Sequence, residues 1–168
     1  MRVDFTPAEL VVIHRHAQAR TATGELMKDS QYTYGETQEA VDTMGVSGEF
    51  AVYKAARAAG HPAKWMGSGL GKPVLWDVQI GPFAIEVKTT TTSHLILNSD
   101  VYPDKIDAVV LVTMAKGDAG CDIDGACTAA RWMDEMGYWR NPKTGKNRWR
   151  VHMRDLEGWD HWLKRTIG

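Results

Sequence analysis

Between Trp76 and Thr92 the sequence reads WDVQIGPFAIEVKTTTT, an apolar, β-prone run interrupted by Asp77, Glu86 and Lys88. Strand interiors disfavour all of these residue types, so their presence needs a reason. Gly81-Pro82 suits a type II′ turn, in which glycine takes the positive φ of the first central position and proline the negative φ of the next. In the hairpin this turn predicts, Ile80 opposes Phe83 and Asp77 opposes Glu86. Glu86 and Lys88 share a side, because side chains alternate along a strand. The other side carries Trp76, Val78, Ile80, Phe83, Ile85 and Val87, a continuous core face. Directly opposed carboxylates repel. A cation between them removes the repulsion, and oxygen ligands without Cys or His favour Mg2+ or Mn2+ over zinc. Lys88, alongside, is placed to orient or deprotonate a water, or to offset charge in a transition state. The competing reading is a solvated sheet face with scattered charges.

The elements that must hold these residues can be read from pattern. Thr6-Pro7-Ala8-Glu9 has the form of a capping box with proline at the first helical position, and predicts a helix to about Arg20. Residues 21–45 are polar and irregular, either a loop or a short helix around Glu36–Thr43. GVSGEFAVYKAARAAG, residues 45–60, predicts a second helix with Ser47 as its N-cap and Gly60 as its stop. Val74–Ile80 and Phe83–Thr90 form the hairpin, with His94–Asn98 a further short strand. DAVVLVTMA, residues 107–115, is a continuous apolar run and predicts a central strand buried on both faces. CDIDGAC, residues 121–127, alternates as another strand, Thr128–Met136 reads as a helix stopped by Gly137, and NRWRVHM, residues 147–153, alternates again. Asp155–Arg165 closes the chain as a helix with an apolar stripe of Leu156, Trp159, Trp162 and Leu163.

Asp77, then eight residues, then Glu86-Val87-Lys88 resembles the D-x(n)-E-x-K signature of the PD-(D/E)XK nuclease superfamily. SGEFAVYKAARAAG resembles the superfamily's first core helix, which often contributes a carboxylate, here Glu49. DAVVLVTMAKGDAGCDIDGACTAARW resembles the strand and following helix of small phage-type and prokaryotic members. The resemblance covers roughly Val46 to Trp132, and departs from the family name at Trp76, which stands where the name has proline. It implies an α/β fold with an αβββαβ core, a central mixed sheet flanked by helices. It also implies metal-dependent hydrolysis of DNA phosphodiester bonds, as an endonuclease. The alternatives are an exonuclease, an RNase, or a binding module that kept the fold without the chemistry. Carried over by position, Asp77, Glu86 and the backbone carbonyl of Val87 hold Mg2+, with Mn2+ as a substitute. Glu49 completes the shell of one or two metals. Lys88 positions the attacking water and stabilises the developing charge.

Composition agrees with an ordinary globular protein. The 168 residues are 43% hydrophobic and 24% charged, with a net charge of −1. A single domain is expected, with an N-terminal helical segment at about 6–45, a catalytic core at about 46–136, and a C-terminal strand and helix at about 137–168. No run of apolar residues is long enough to span a membrane, and the N-terminus has no signal-peptide pattern. Cys121 and Cys127 are too few for a disulfide scaffold and lack zinc spacing, which points to a reducing cytoplasm; the resemblance implies that the cell is prokaryotic or phage-infected. A DNA binder with so little net charge must concentrate its positive residues. YWRNPKTGKNRWRVHMR, residues 138–154, does so, with Lys143, Lys146, Arg148 and Arg150 as candidate backbone clamps and Trp139 and Trp149 as candidates to stack on bases. A solvated hairpin is the bland alternative there. Thr90, on the Lys88 side, is a candidate phosphate donor. His14 and His16 read as surface residues of the first helix, and Arg15 and Arg20 as members of a solvated face, with contact to phosphate as the alternative. A homodimer would suit a double-strand cutter, although no sequence feature indicates one.

Overall fold

The computed structural model describes residues 1–24, 37–67, 76–91, 94–98, 105–115, 117–129, 138–140 and 147–168. The chain opens with strand β1 (Arg2–Asp4) and helix α1 (Pro7–Gly24). The capping box forms as expected: the Glu9 carboxylate accepts from the Thr6 N–H at 2.7 Å, and Thr6 Oγ1 accepts from the Glu9 N–H at 3.3 Å. The helix runs past Arg20. The two segments expected around Glu36–Thr43 and after Ser47 form one helix, α2 (Gln38–Ala58), capped by Thr37, whose side chain accepts from the Ala40 N–H. Ser47 is therefore interior rather than a cap. It donates its hydroxyl proton to the Thr43 carbonyl at 2.7 Å, which lets a serine sit within a helix. The Gly60 and His61 N–H groups close the helix onto Arg57 and Ala56, both at 3.0 Å, in a Schellman motif.

Next come β2 (Ala63–Trp65), β3 (Val78–Ile80) and β4 (Phe83–Thr90), an antiparallel series. Gly81 has φ +56, as the turn requires, and Val78 opposes Ile85 while Ile80 opposes Phe83. β4 then pairs in parallel with β6 (Ala108–Thr113). β6 pairs antiparallel with β7 (Gly120–Thr128), and β1 covers β7. The result is a mixed six-stranded sheet of order β1-β7-β6-β4-β3-β2. The apolar run of β6 lies inside it, and Ala108 through Val112 are fully buried. A smaller antiparallel sheet holds β5 (His94–Asn98), β9 (Asn147–His152) and β8 (Tyr138–Arg140), in the order β5-β9-β8. A 3-10 turn at Met153–Asp155 leads to the last helix, α3 (Trp159–Ile167).

The fold is α/β with a mixed sheet, in agreement with the sequence at that level. One sheet face packs Val78, Ile80, Ile85, Val87, Val110 and Val112 against α2 residues Val46, Phe50, Val52, Ala55 and Ala56, with Trp159, Trp162 and Leu163 of α3 in the same cluster. The opposite face gathers Ile106, Val109, Leu111, Cys127 and Ala129, flanked by Trp76, Met153 and Leu156. Both cysteines are buried free thiols, and burial pushes Cys121 up to about 12.

The structure corrects two expectations. Trp76, expected beside Val78 and Ile80, packs on the other face. Regular alternation stops at Val78, because the Asp77 N–H bonds to the Ile85 carbonyl at 3.0 Å and the Val87 N–H is taken by the Asp77 side chain. Thr128, expected to start a helix, is the last residue of β7, paired with Ala108, because the strand ladder to β6 extends that far. Residues 130–137 of that expected helix lie outside the described residues. Among the described residues, no helix is long and apolar enough to cross a membrane.

α2 approaches β4 closely at Gly48. A Cβ there would lie 1.9 Å from Thr89 Oγ1 and 3.1 Å from Thr89 Cβ. Gly48 thus lets the helix settle low enough to bring Glu49 to the hairpin. We predict that Gly48→Ala lowers stability by about 1–3 kcal/mol despite better helix propensity, through overpacking. Denaturant midpoints would show it, and Thr89→Ala in the same chain should recover part of the loss. Equal losses in both backgrounds would remove the close contact as the cause.

Candidate active site

Three elements bring charge to one place. α2 contributes Glu49, the opening of the β3–β4 hairpin contributes Asp77, and β4 contributes Glu86 and Lys88. Asp77 sits where the hairpin ladder ends, and its carboxylate accepts the Val87 N–H at 2.8 Å, replacing a ladder carbonyl. The Lys88 ammonium is paired with the Glu86 carboxylate on the same face of β4. Glu49 is nearly sealed, with its side chain 4% exposed. Arg20 of α1 donates to its Oε1 at 2.5 Å, and the Trp65 indole N–H donates to its Oε2 at 3.2 Å.

These groups act on one another electrostatically. Burial pushes the Asp77 carboxyl well above the ordinary aspartate value, and the neighbouring Glu49 and Glu86 charges push it further. The Lys88 charge and the Val87 N–H oppose this without reversing it. Burial lowers Lys88, but Glu86, Asp77 and Glu49 outweigh burial and hold it above the ordinary lysine value. Lys88 is therefore an ammonium in this state, suited to donate hydrogen bonds and offset negative charge rather than to remove a proton. The cluster sets three carboxylates against the cations of Arg20 and Lys88. Among the described residues Asp77 makes no ion pair, and it carries the uncompensated repulsion.

The residues singled out in the sequence fare differently. Glu49, Asp77, Glu86 and Lys88 converge. Val87 turns its side chain into the core and spends its N–H on Asp77, between Glu86 and Lys88 of β4. Thr90 follows on the same face of β4, opposite Thr113. Lys143 and Lys146 lie outside the described residues. Arg148 and Arg150 lie in β9, opposite Asn98 and Ile96 of β5. Two further site residues carry no signal in the local sequence pattern. Arg20, expected on a solvated surface, has a side chain only 23% exposed and reaches Glu49, 29 residues away. Trp65 holds the other Glu49 oxygen and is itself packed on His16, with ring centroids 4.3 Å apart. His16 and Arg20 are one helical turn apart on α1, which is the only sequence hint that both face one site.

Among the described residues, no three His, Cys, Asp or Glu side chains are already gathered around one ion position. The donor chemistry nevertheless fits a hard divalent cation: the oxygens are all carboxylate, and negative charge is in excess. Each carboxylate is turned to a protein donor, so a cation would enter by exchanging those partners.

The raised Asp77 value makes stability depend on pH. The folded carboxyl holds its proton more tightly than the unfolded one, so between the ordinary aspartate pKa and the raised one the native state binds more protons. Stability then falls as pH rises through that interval. We predict that Asp77→Asn is more stable than the wild type near neutral pH, with a flatter dependence as pH rises above the ordinary aspartate value. Unfolding series across that range check it, and an unchanged slope would clear Asp77 as the source.

In comparisons with known proteins, no family model, no curated protein and no solved structure matches the chain.

Proposed function

We propose that this protein is a metal-dependent deoxyribonuclease of the PD-(D/E)XK type, acting as an endonuclease. The observation that carries the reading is the convergence of Glu49, Asp77, Glu86 and Lys88 from separate elements, with Asp77 strained by the other two carboxylates. The strand arrangement is in keeping with a restriction-endonuclease-like core. β2, β3 and β4 run antiparallel in series, β4 pairs in parallel with β6, and α2 packs on the sheet and supplies a carboxylate. One part of the expected order departs: the core helix expected from Thr128 has its first residue at the end of β7, and residues 130–137 of it lie outside the described residues.

In this reading Asp77, Glu86 and the Val87 carbonyl would hold Mg2+, or Mn2+ in its place, with Glu49 directly or through water. When bound there, such an ion supplies a Lewis acid that activates water and neutralises phosphate charge. The chain's own contributions follow from its geometry. Lys88 keeps its proton and donates to the attacking water or to a phosphate oxygen, stabilising negative charge as it develops. Glu86 aims Lys88 through their ion pair. Thr90, next along the face, offers a hydroxyl to the phosphate backbone. Lys143, Lys146, Arg148 and Arg150 supply the local positive charge that a chain of net charge −1 needs to hold DNA.

The rival is a nucleic-acid-binding module without chemistry. It draws support from the protein donors that already engage all three carboxylates. Closed circular DNA incubated with Mg2+, Mn2+ or EDTA separates the two. We predict nicking that requires the cation and disappears in Asp77→Asn and Glu86→Gln, with the fold retained. Wild-type rates in both variants would refute the site. Lys88→Ala should also lose cleavage but still bind Mn2+ in calorimetry, and loss of binding in a folded variant would count against its assigned role. Replacing Lys143, Lys146 and Arg148 together should weaken binding to all duplexes alike. It should also flatten the slope of log affinity on log salt, by up to about 0.9 for each phosphate that is no longer neutralised. An unchanged slope would place the DNA elsewhere.

A further inference from the structure

We propose that Arg20 is an exchangeable counter-ion: it holds Glu49 while the cluster lacks a divalent cation, and takes a DNA phosphate once one is bound. The inference rests on the nuclease reading and adds to it a residue that the D-x(n)-E-x-K pattern does not contain. Arg20 is the outer member of its pair, with a side chain 23% exposed against 4% for Glu49. Its charge acts on Asp77 as well as on Glu49. α2 leaves room for it at Gly45, where an added Cβ would come within 3.1 Å of Arg20 Nη1.

The neighbours permit the exchange. Glu49 keeps the Trp65 N–H when Arg20 leaves, and Trp65 is held by His16, so the carboxylate stays aimed. Asp42, whose charge also acts on Arg20, is engaged by Thr21 Oγ1 at 2.7 Å and Gln38 Nε2 at 2.9 Å. A guanidinium and a divalent cation repel, and both seek the same carboxylate. Entry of the cation therefore weakens the hold of Glu49 on Arg20. The released guanidinium has the planar donor fork that suits a phosphate. Cation binding and phosphate binding are in this way coupled through one side chain.

The coupling has a signature with opposite signs, which a merely structural residue would not produce. Arg20→Met and Arg20→Lys would be titrated with Ca2+, a hard cation that takes oxygen ligands, by calorimetry in mildly alkaline buffer. Their affinity for a short DNA duplex would be measured with Ca2+ and with EDTA. We expect Arg20→Met to bind Ca2+ more tightly by about tenfold or more, because a unit positive charge near the site is gone. The same variant should bind DNA about tenfold more weakly in Ca2+, yet within about twofold of wild type in EDTA. Arg20→Lys keeps the charge and loses the fork, so it should bind Ca2+ as the wild type does and lose part of the DNA affinity in Ca2+. Unchanged or weaker Ca2+ binding by folded Arg20→Met overturns the proposal. So does a drop in DNA affinity that is equal with and without Ca2+. If Arg20→Met fails to fold, Arg20→Lys decides alone, and full DNA affinity in Ca2+ overturns the proposal. A wild type that cleaves DNA while the variants lack this signature refutes the Arg20 role only. A wild type that binds neither Ca2+ nor DNA refutes the nuclease reading, and the Arg20 role with it.

Discussion

Three carboxylates drawn out of water against two fixed cations are the constraint around which this structure is arranged. Removing a charge from water costs several kcal/mol unless it is paired. Glu49 meets that demand through Arg20 and Trp65, and Glu86 through Lys88. Asp77 receives a backbone N–H and, among the described residues, no ion pair, so the repulsion collects on its proton equilibrium. Ion pairs elsewhere carry less weight. Arg2 engages Asp4, Asp118 and Asp122 on an open surface, where solvent screens such contacts and their contribution is small. Similar residue types thus matter in one place and hardly in another, because the sheet and α2 exclude water from the first.

The backbone is shaped to that cluster. Asp77 ends the hairpin ladder by supplying its own carboxylate as the acceptor for Val87. This exchange of acceptor ends regular alternation and lets Trp76 pass to the other sheet face, beside the cluster that contains Val109 and Leu111. On the helix side, a glycine at 48 lets Glu49 descend toward the same mouth. Packing and electrostatics are therefore not separable: the close approach that fills the core also creates the desolvated acids.

Local physics explains what could be read from the sequence. The turn follows from Gly81-Pro82 and the register from alternation over a few residues, and both stand from Val78 to Ile85, while the expected Asp77–Glu86 opposition falls beyond the paired residues. The buried strand at Ala108–Thr113 follows from an apolar run that only a two-sided core accommodates. Where a local signal competes with a longer-range one, it loses. Ser47 has the chemistry of a cap, yet Thr37 caps the helix and tertiary packing carries it through Ser47. β1 and β2, at three residues each, are too short to leave a period in the sequence. The charged site divides in the same way. Asp77, Glu86 and Lys88 share one hairpin and are legible from it. Arg20 and Trp65 reach Glu49 from separate elements, and no local spacing records such a meeting.

The protonation of Lys88 narrows the chemistry this cluster can support. A lysine that served as a base would need its pKa lowered by burial or by neighbouring positive charge. Here the surrounding carboxylates outweigh burial and raise it. In the cation-free state the same negative field keeps Lys88 protonated, which makes it a strong electrostatic partner for an anion, and makes Asp77 receptive to positive charge. In the present state the acids and bases are bound mainly to one another, and Asp77, which makes no ion pair among the described residues, bears most of the repulsion.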